Sequence, residues 1–208
     1  MARPKKFDDE TRAALIRDTA DQIVTGGVES VSLRPLAAKH GFSTTAIYTM
    51  FGSRGALIGA VIHESVRSFI KSQESVPVTD DPLADLLDLG RAYRGWALSF
   101  PALYNVMMGR GGKRPNINLE NFTEDPSDGL SSRAAIDTLL RRVDECMKAG
   151  VLGDFPLNEV VYSIWASVHG WVSMEATRPA LVSQNSDEAF ERYMRSLIRA
   201  WSPPALVE

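Results

Sequence analysis

Cysteine is nearly missing from this sequence, because Cys146 is the only one in 208 residues. A single thiol excludes an internal disulfide framework and leaves too few ligands for a cysteine-type zinc site. We therefore expect Cys146 to fill a small apolar space on a helix, in a protein that works in a reducing compartment.

Long hydrophobic runs and catalytic motifs are missing as well. No segment approaches the ~18 uninterrupted apolar residues of a membrane span, and the polar N-terminus has no apolar core of the signal-peptide kind. We find no Ser-His-Asp or Cys-His set, no paired catalytic carboxylates and no phosphate-binding glycine loop, and His63 with Glu64 is too small a set for a metal. These absences predict a soluble, cytoplasmic protein that is not an enzyme and uses no cofactor or metal.

Charge is distributed unevenly around a net value of −3. Residues 1–54 carry eight basic and six acidic side chains, whereas the remainder carries 15 basic and 20 acidic ones. A basic end on an acidic body suits a protein that presents one end to a polyanion.

Apolar residues recur at helical spacing through nearly the whole chain, and no strand-like alternation is visible. Glycine, proline and capping residues divide this pattern into helices predicted at 8–25, 33–40, 44–50, 54–73, 82–100, 101–109, 127–149, 156–178 and 186–201. Residues 77–82 form a linker, and residues 110–125 have no period and predict a long loop. The chain is therefore expected to be all-α, with about nine helices.

The second and third predicted helices fit a helix-turn-helix. If Leu33 takes the first position, Ala37 lies where the helices cross, and Gly41 lies in the turn, where glycine adopts a positive φ at little cost. The residues that then fall on the inward side are Leu36, Phe42, Ile47 and Met50. From the pattern alone, a chance helical hairpin within a bundle is the alternative.

Residues 32–57 read Ser-Leu-Arg-Pro-Leu-Ala-Ala-Lys-His-Gly-Phe-Ser-Thr-Thr-Ala-Ile-Tyr-Thr-Met-Phe-Gly-Ser-Arg-Gly-Ala-Leu. Residues 8–58 resemble the TetR family of transcriptional repressors. In that family the helix-turn-helix is followed by Tyr, two variable residues, Phe, two variable residues, a basic residue and then a leucine. The corresponding residues here are Tyr48, Phe51, Arg54 and Leu57. Thr44 and Met50 depart from that pattern, since many members have lysine at the first position and an aromatic residue or histidine at the second. The resemblance implies a DNA-binding domain over residues 1–53 and an effector-binding and dimerisation domain over residues 54–208.

The start of helix 44–50 is expected to enter the major groove of DNA. Tyr48 combines an apolar body with a phenol suited to a phosphate, and the alternative for it is a core tyrosine. Arg34 and Arg54 each stand in the first turn of a helix, where their charge adds to the free backbone amides, although Arg34 can equally be a solvated surface charge. The predicted DNA contacts are Lys5, Lys6, Arg34, Ser43, Thr44, Thr45, Tyr48, Thr49 and Arg54. The recognition helix holds no Arg, Asn or Gln, so no strong base-reading pair is visible.

The last two long helices have the features of a dimer interface. Helix 156–178 is apolar around most of its circumference and carries a stripe of small residues that admits another helix, whereas helix 186–201 is amphipathic. TetR-like proteins generally dimerise through these helices, which implies an interface at Ala166, Gly170, Ser173, Thr177, Phe190, Met194, Leu197 and Trp201. The alternative is that both helices close the core of the monomer.

Aromatic and methionine side chains gather in two parts of the C-terminal region. The residues expected around an apolar effector cavity are Trp96, Phe100, Tyr104, Met107, Met108, Trp165 and His169, although such residues line ordinary cores equally well. Residues 165–170 (Trp-Ala-Ser-Val-His-Gly) and 101–104 (Pro-Ala-Leu-Tyr) resemble the tryptophan–histidine–glycine subfamily. The whole pattern implies a homodimeric repressor that a small-molecule effector releases from a palindromic operator in double-stranded DNA. The alternative is a small helical ligand-binding protein or enzyme with a vestigial helix-turn-helix.

Overall fold

The structure is a computed structural model that describes residues 9–109, 132–177 and 185–203. Within these ranges every regular element is helical, which confirms the predicted all-α fold. The nine α-helices described are α1 (Asp9–Gly26), α2 (Leu33–Lys39), α3 (Thr44–Phe51), α4 (Arg54–Glu74), α5 (Pro82–Ser99), α6 (Pro101–Met107), α7 (Ser132–Lys148), α8 (Leu157–Thr177) and α9 (Ser186–Ala200). A short 3-10 helix, Val28–Ser30, follows α1. No single helix in the described ranges is both long and apolar enough to cross a membrane, although α3 and α4 reach that length and composition as a pair bent by 59°.

Glycine and proline end and begin the helices where the sequence predicts. Gly27, with φ +80°, follows α1, and Pro101 stands in the first turn of α6, where its missing N–H costs nothing. Ser32 precedes α2, and its residue type predicts a side-chain cap for this helix. That prediction is wrong, because the Ser32 side chain makes no capping bond and its backbone N–H donates to Gln22 Oε1 at 2.9 Å. The predicted loop 110–125 lies outside the described residues.

The chain divides into two compact units. The first holds α1 to α3, α4 as far as Ser68, and α6, and the second holds α4 from Phe69, α5, and α7 to α9. The units do not coincide with the predicted boundary at residue 53, because α4 is one continuous helix that belongs to both. In addition, α6 packs against α1 in the first unit.

The core of the first unit fixes the two helices of the helix-turn-helix on α1. Buried aliphatic side chains from α1 to α4 form one cluster, against which Met50 and Phe51 pack. Its members are Leu15, Leu33, Leu36, Ala37, Ile47 and Leu57. Ala37 is buried at the predicted crossing of α2 and α3, so a larger side chain there has no room.

In the second unit, α5 lies against α7, α8 and α9. Arg94 of α5 binds both carboxylate oxygens of Glu175 on α8, at 2.7 and 2.6 Å, and also Asp187 at the start of α9, at 2.7 Å. The guanidinium of Arg94 lies over the ring of Phe190, 5.4 Å from its centroid. One half-buried cation thus joins three helices through charge-assisted hydrogen bonds.

Candidate nucleic-acid interface and ligand site

The turn between α2 and α3 has the geometry that a helix-turn-helix requires. Gly41 in this turn has φ +69°, a conformation that is cheap only for glycine. Ser43 caps α3, because its hydroxyl accepts the backbone N–H of Ala46 at 3.3 Å. At the other end, Gly52 has φ +82° and its N–H donates to the carbonyl of Tyr48 at 2.8 Å. Local backbone chemistry therefore determines where α3 begins and ends.

The solvent side of α3 is a surface of hydroxyl groups. Tyr48 is 48% exposed, so the alternative of a core tyrosine is wrong. Thr45 and Thr49 lie within one turn of Tyr48 and are exposed as well, whereas Thr44 is half-buried. Ser43 and, in the first turn of α2, Arg34 are also exposed. These side chains are placed where a polyanion can reach them.

Arg54 has a structural contact that the sequence does not reveal. Its Nε donates to the carbonyl of Val31 at 2.8 Å, and its Nη2 donates to the carbonyl of Val28 at 2.5 Å. The guanidinium therefore fastens the start of α4 to the 3-10 helix that follows α1. A phosphate contact by Arg54 stays a prediction and would have to use the remaining N–H groups of the fork.

Lys5 and Lys6 lie outside the described residues. Within the described residues, a charged contact between α1 and α2 holds α2 in place. Asp18 on α1 binds Lys39 Nζ at 2.8 Å and His40 Nε2 at 2.7 Å. Burial raises the pKa of the Asp18 carboxyl, but the hydrogen bonds and charges of Lys39 and His40 outweigh burial and leave the pKa below its ordinary value. The C-terminal end of α2 is thus tied to α1.

The predicted dimer residues fall into two sets. On α8, Ala166 and Thr177 are exposed and Ser173 is half-buried. A Cβ added at Gly170 would meet no atom of the described residues within 4 Å. Two exposed side chains that the sequence analysis did not select, Tyr162 and Met174, lie at four-residue spacing from Ala166 and Gly170. No part of the chain that the structure describes covers this face of α8, and its role at an interface stays a prediction.

On α9, the structure moves part of the predicted interface into the interior of the chain. Phe190 and Met194 are 2% and 1% exposed, and the Cε atom of Met194 would lie 2.7 Å from a Cβ at Gly90 of α5. Trp201 contacts Phe155 edge to face at 5.1 Å between ring centroids. For Phe190 and Met194 the alternative applies, namely packing in the core of their own unit, because their side chains are already covered. Trp201 is only half-buried. Leu197 is half-buried.

Three predicted ligand residues of the second unit belong to one aromatic network. Trp96 packs on Phe69 at 5.1 Å, and Phe69 packs on Tyr93 at 5.3 Å, both edge to face. The hydroxyl of Tyr93 shares a hydrogen bond of 3.1 Å with His169 Nδ1, and His169 stacks on Trp165 with centroids 6.1 Å apart. Phe69 and Tyr93 were missed, since Phe69 reads as one of several apolar residues on α4 and Tyr93 as an ordinary core residue.

The other four predicted ligand residues belong to the first unit. Tyr104 and Met107 are buried on α6, Met108 is half-buried after it, and Phe100 is exposed before it. Since α6 packs against α1, the core alternative accounts for the burial of Tyr104 and Met107 without a ligand. Their role at a ligand stays a prediction.

A buried ion pair in the second unit was also missed. Arg142 of α7 and Asp85 of α5 are 4% and 2% exposed, with Nη1 and Oδ2 3.4 Å apart. Nη2 of Arg142 donates to the carbonyls of Val76 and Pro77, at 3.3 and 3.1 Å, in the linker that follows α4. Charged residues on the core side of two amphipathic helices were the signal available in the sequence.

No group of three or more His, Cys, Asp or Glu residues that could hold a metal occurs in the part of the chain that the structure describes. Burial, together with nearby carboxylates, raises the pKa of the Cys146 thiol to about 12, and its Sγ donates to the carbonyl of Pro82 at 3.1 Å. A thiol held in its protonated form is a poor nucleophile.

The C-terminal region matches a known family. Residues 86–197 match the model described as "Tetracyclin repressor-like, C-terminal domain". The HTH-type transcriptional regulator Rv1816 from Mycobacterium tuberculosis is 24% identical to the chain over 104 residues, which are 49% of this chain and 44% of that protein. The match thus covers less than half the length of that curated relative.

Solved structures share the fold along nearly the whole chain. A protein of unknown function from Rhodococcus sp. RHA1 superposes with a TM-score of 0.74 at 21% identity, covering 97% of this chain and 100% of that one. The TetR family transcriptional regulator PfmR from Thermus thermophilus superposes with a TM-score of 0.69 at 17% identity, covering 89% of this chain and 97% of that one. At such identities the likeness concerns the fold.

Proposed function

We propose, since this chain belongs to the TetR family, that it is a transcriptional regulator that binds double-stranded DNA through α2 and α3. The observation that carries this proposal is the helix-turn-helix with glycine in its turn and a surface of exposed hydroxyls on the second helix. Helices of this kind lie in the major groove and orient themselves through phosphate contacts.

Within this proposal, Tyr48 and Arg34 make the phosphate contacts that the structure supports best, because both are exposed at the helix-turn-helix. Thr45 and Thr49 face the groove, where hydroxyls bind phosphates or base edges with little discrimination between bases. The hydroxyl of Thr49 donates to the carbonyl of Thr45 at 2.9 Å, so it must exchange that bond to contact DNA.

The active species in this proposal is a homodimer. The open face of α8 meets the same face of a second chain, with Ala166 and Gly170 allowing close approach and Tyr162 and Met174 adding apolar area. Two-fold symmetry of the protein then matches a palindromic operator.

We further propose a cytoplasmic, non-enzymatic repressor that a small apolar effector releases from DNA. An effector achieves this only by binding the DNA-incompetent conformation more tightly, and a tenfold loss of operator affinity requires about 1.4 kcal/mol of difference. The alternative remains a helical ligand-binding protein or enzyme with a vestigial helix-turn-helix, which would not bind DNA with sequence preference.

Selection of sites from a random duplex library, followed by titration at several salt concentrations, tests the DNA-binding proposal. We expect a near-palindromic site, and we expect Arg34→Ala to weaken binding and lower the salt slope by about 1, since one phosphate contact is lost. Tyr48→Phe should weaken binding without changing that slope, because it removes a neutral donor. Arg67→Ala, which removes an exposed cation from α4, is the matched control. A chain that enriches no sequence from the library is not a specific DNA-binding protein.

A further inference from the structure

Among the described residues of the second unit, Gln73 is a buried polar residue whose hydrogen bonding is incomplete. Its side chain stands in the last turn of α4 and is 6% exposed. Its Nε2 donor has no hydrogen-bond partner among the described residues. A buried donor without a partner lowers stability, so its presence in a folded protein calls for an explanation.

Aromatic side chains lie on the same stretch of α4 and α5 as Gln73. Gln73 follows Phe69 by four residues, which places both on the same face of α4. Phe69 contacts Tyr93 and Trp96 edge to face. The hydroxyl of Ser72 donates to the carbonyl of Ala92 at 3.4 Å, so this turn of α4 lies against the part of α5 that carries Tyr93. The unpaired amide is therefore adjacent to the network that continues through Tyr93 to His169 and Trp165.

We propose that Gln73 is the polar contact of the effector site, and that the effector is a neutral, largely aromatic or apolar molecule with a carbonyl oxygen. The inference rests on the proposed function, since it concerns the ligand of that regulator. A carbonyl oxygen accepts the Nε2–H of Gln73 while the aromatic side chains contact the rest of the molecule. A carboxylate binds less well, because burying an anion costs more free energy than burying a neutral carbonyl group.

The position of Gln73 on α4 connects ligand binding to the affinity for DNA. The helix runs without a break from Arg54, which follows the helix-turn-helix, to Glu74, which follows Gln73. A ligand held by Gln73 therefore binds the same helix that starts at the DNA-binding unit. If the ligand binds one position of α4 more tightly than another, thermodynamic linkage requires that ligand binding change the affinity for DNA.

The test uses two pairs of probes that differ only in the acceptor oxygen. Acetophenone and α-methylstyrene have the same shape, with C=O in one and C=CH2 in the other, and 2-acetylnaphthalene and 2-isopropenylnaphthalene repeat the comparison on a larger ring. Calorimetric titration of the full chain should show, for at least one pair, binding of the ketone about fivefold tighter than the alkene, the gain from one ordinary hydrogen bond. Benzoate should bind more weakly than acetophenone.

Gln73→Met should remove the preference for the ketone and leave the affinity for the alkene within about twofold. Lys71→Met, an exposed substitution two residues away, should keep the preference. Equal binding of ketone and alkene by the parent chain, a preference that survives Gln73→Met, or binding of none of the four probes overturns the proposal.

Two further measurements keep the result decisive. If Gln73→Met does not fold, the infrared carbonyl band of 13C-labelled ketone bound to the parent chain tests the contact instead. A hydrogen-bonded carbonyl absorbs at lower frequency, so an unshifted band refutes the contact. Operator binding is measured on the same preparations. A chain that binds DNA but does not prefer the ketone overturns this inference alone, whereas a chain that prefers the ketone but binds no specific DNA overturns the proposed function.

Discussion

Arg142→Met is the substitution for which the structure makes the sharpest prediction about stability. The change removes the cation that faces Asp85 and the donor that serves the carbonyls of Val76 and Pro77, in a site where both charged side chains are about 95% buried. Breaking a buried pair by removing one partner costs about 3–5 kcal/mol. Asp85 keeps two hydrogen bonds from Thr79, at 2.8 and 2.7 Å, so we expect the lower end, about 3 kcal/mol.

A loss of that size corresponds to a decrease in melting temperature of about 6–12 °C for a chain of this length. Circular dichroism melts at one fixed protein concentration measure it, because the stability of a dimer depends on concentration. Arg141→Met is the matched control, since Arg141 lies on the same helix outside the buried pair, and it should change stability by less than about 0.5 kcal/mol.

The charge of Asp85 is the cause of most of this loss, which a second substitution can show. In the parent chain, burial raises the pKa of Asp85, but the hydrogen bonds from Thr79 and the charge of Arg142 lower it further than burial raises it. Asp85→Asn in the Arg142→Met background should therefore recover most of the lost stability, and the effect of Arg142→Met alone should shrink as pH falls and Asp85 becomes protonated. A loss under about 1 kcal/mol at pH 7, or a double variant no more stable than Arg142→Met, would refute this reasoning.

Three further predictions follow from other contacts. Gly170→Arg should give monomers in sedimentation experiments, because the open face of α8 then carries a long cation. Gly95→Arg, at an equally open helical position on α5, is the control and should leave the dimer intact. If Gly170→Arg forms a normal dimer, the interface lies elsewhere. Arg94 holds the pKa of Glu175 below its ordinary value of 4.5, so this pair stabilises the fold above that pH and loses its effect as pH falls below it. Melts of Glu175→Gln should consequently lie below the parent at pH 7 and approach it as pH falls below 4.5. A difference that does not change with pH would exclude the carboxylate charge as the cause. Cys146 should react with a thiol reagent such as 5,5′-dithiobis(2-nitrobenzoate) only after denaturation, since its pKa is about 12, and rapid labelling of the native chain would contradict its burial.

The sequence by itself determined the helices and the helix-turn-helix. Periodicity and punctuation are local, so the positive φ of Gly41 and the cap at Ser43 follow from residues a few positions apart. The exposed hydroxyl side of α3 follows in the same way, because Ala37 and Ile47 fix which side of the helix-turn-helix faces inward. The family resemblance rests on these same local positions.

Only the tertiary structure decided which side chains meet across the chain. Arg54 reads from the sequence as a free cation at a helix start, yet it binds carbonyls 23 and 26 residues earlier. Phe190 and Met194 read as an interface stripe, yet α5 already covers them, because an amphipathic face does not specify whether its partner is its own chain or another. The same holds for Arg142 and Asp85, which lie 57 residues apart, and for the unpaired amide of Gln73. Burial and pairing depend on contacts distant in sequence, and periodicity carries no information about those.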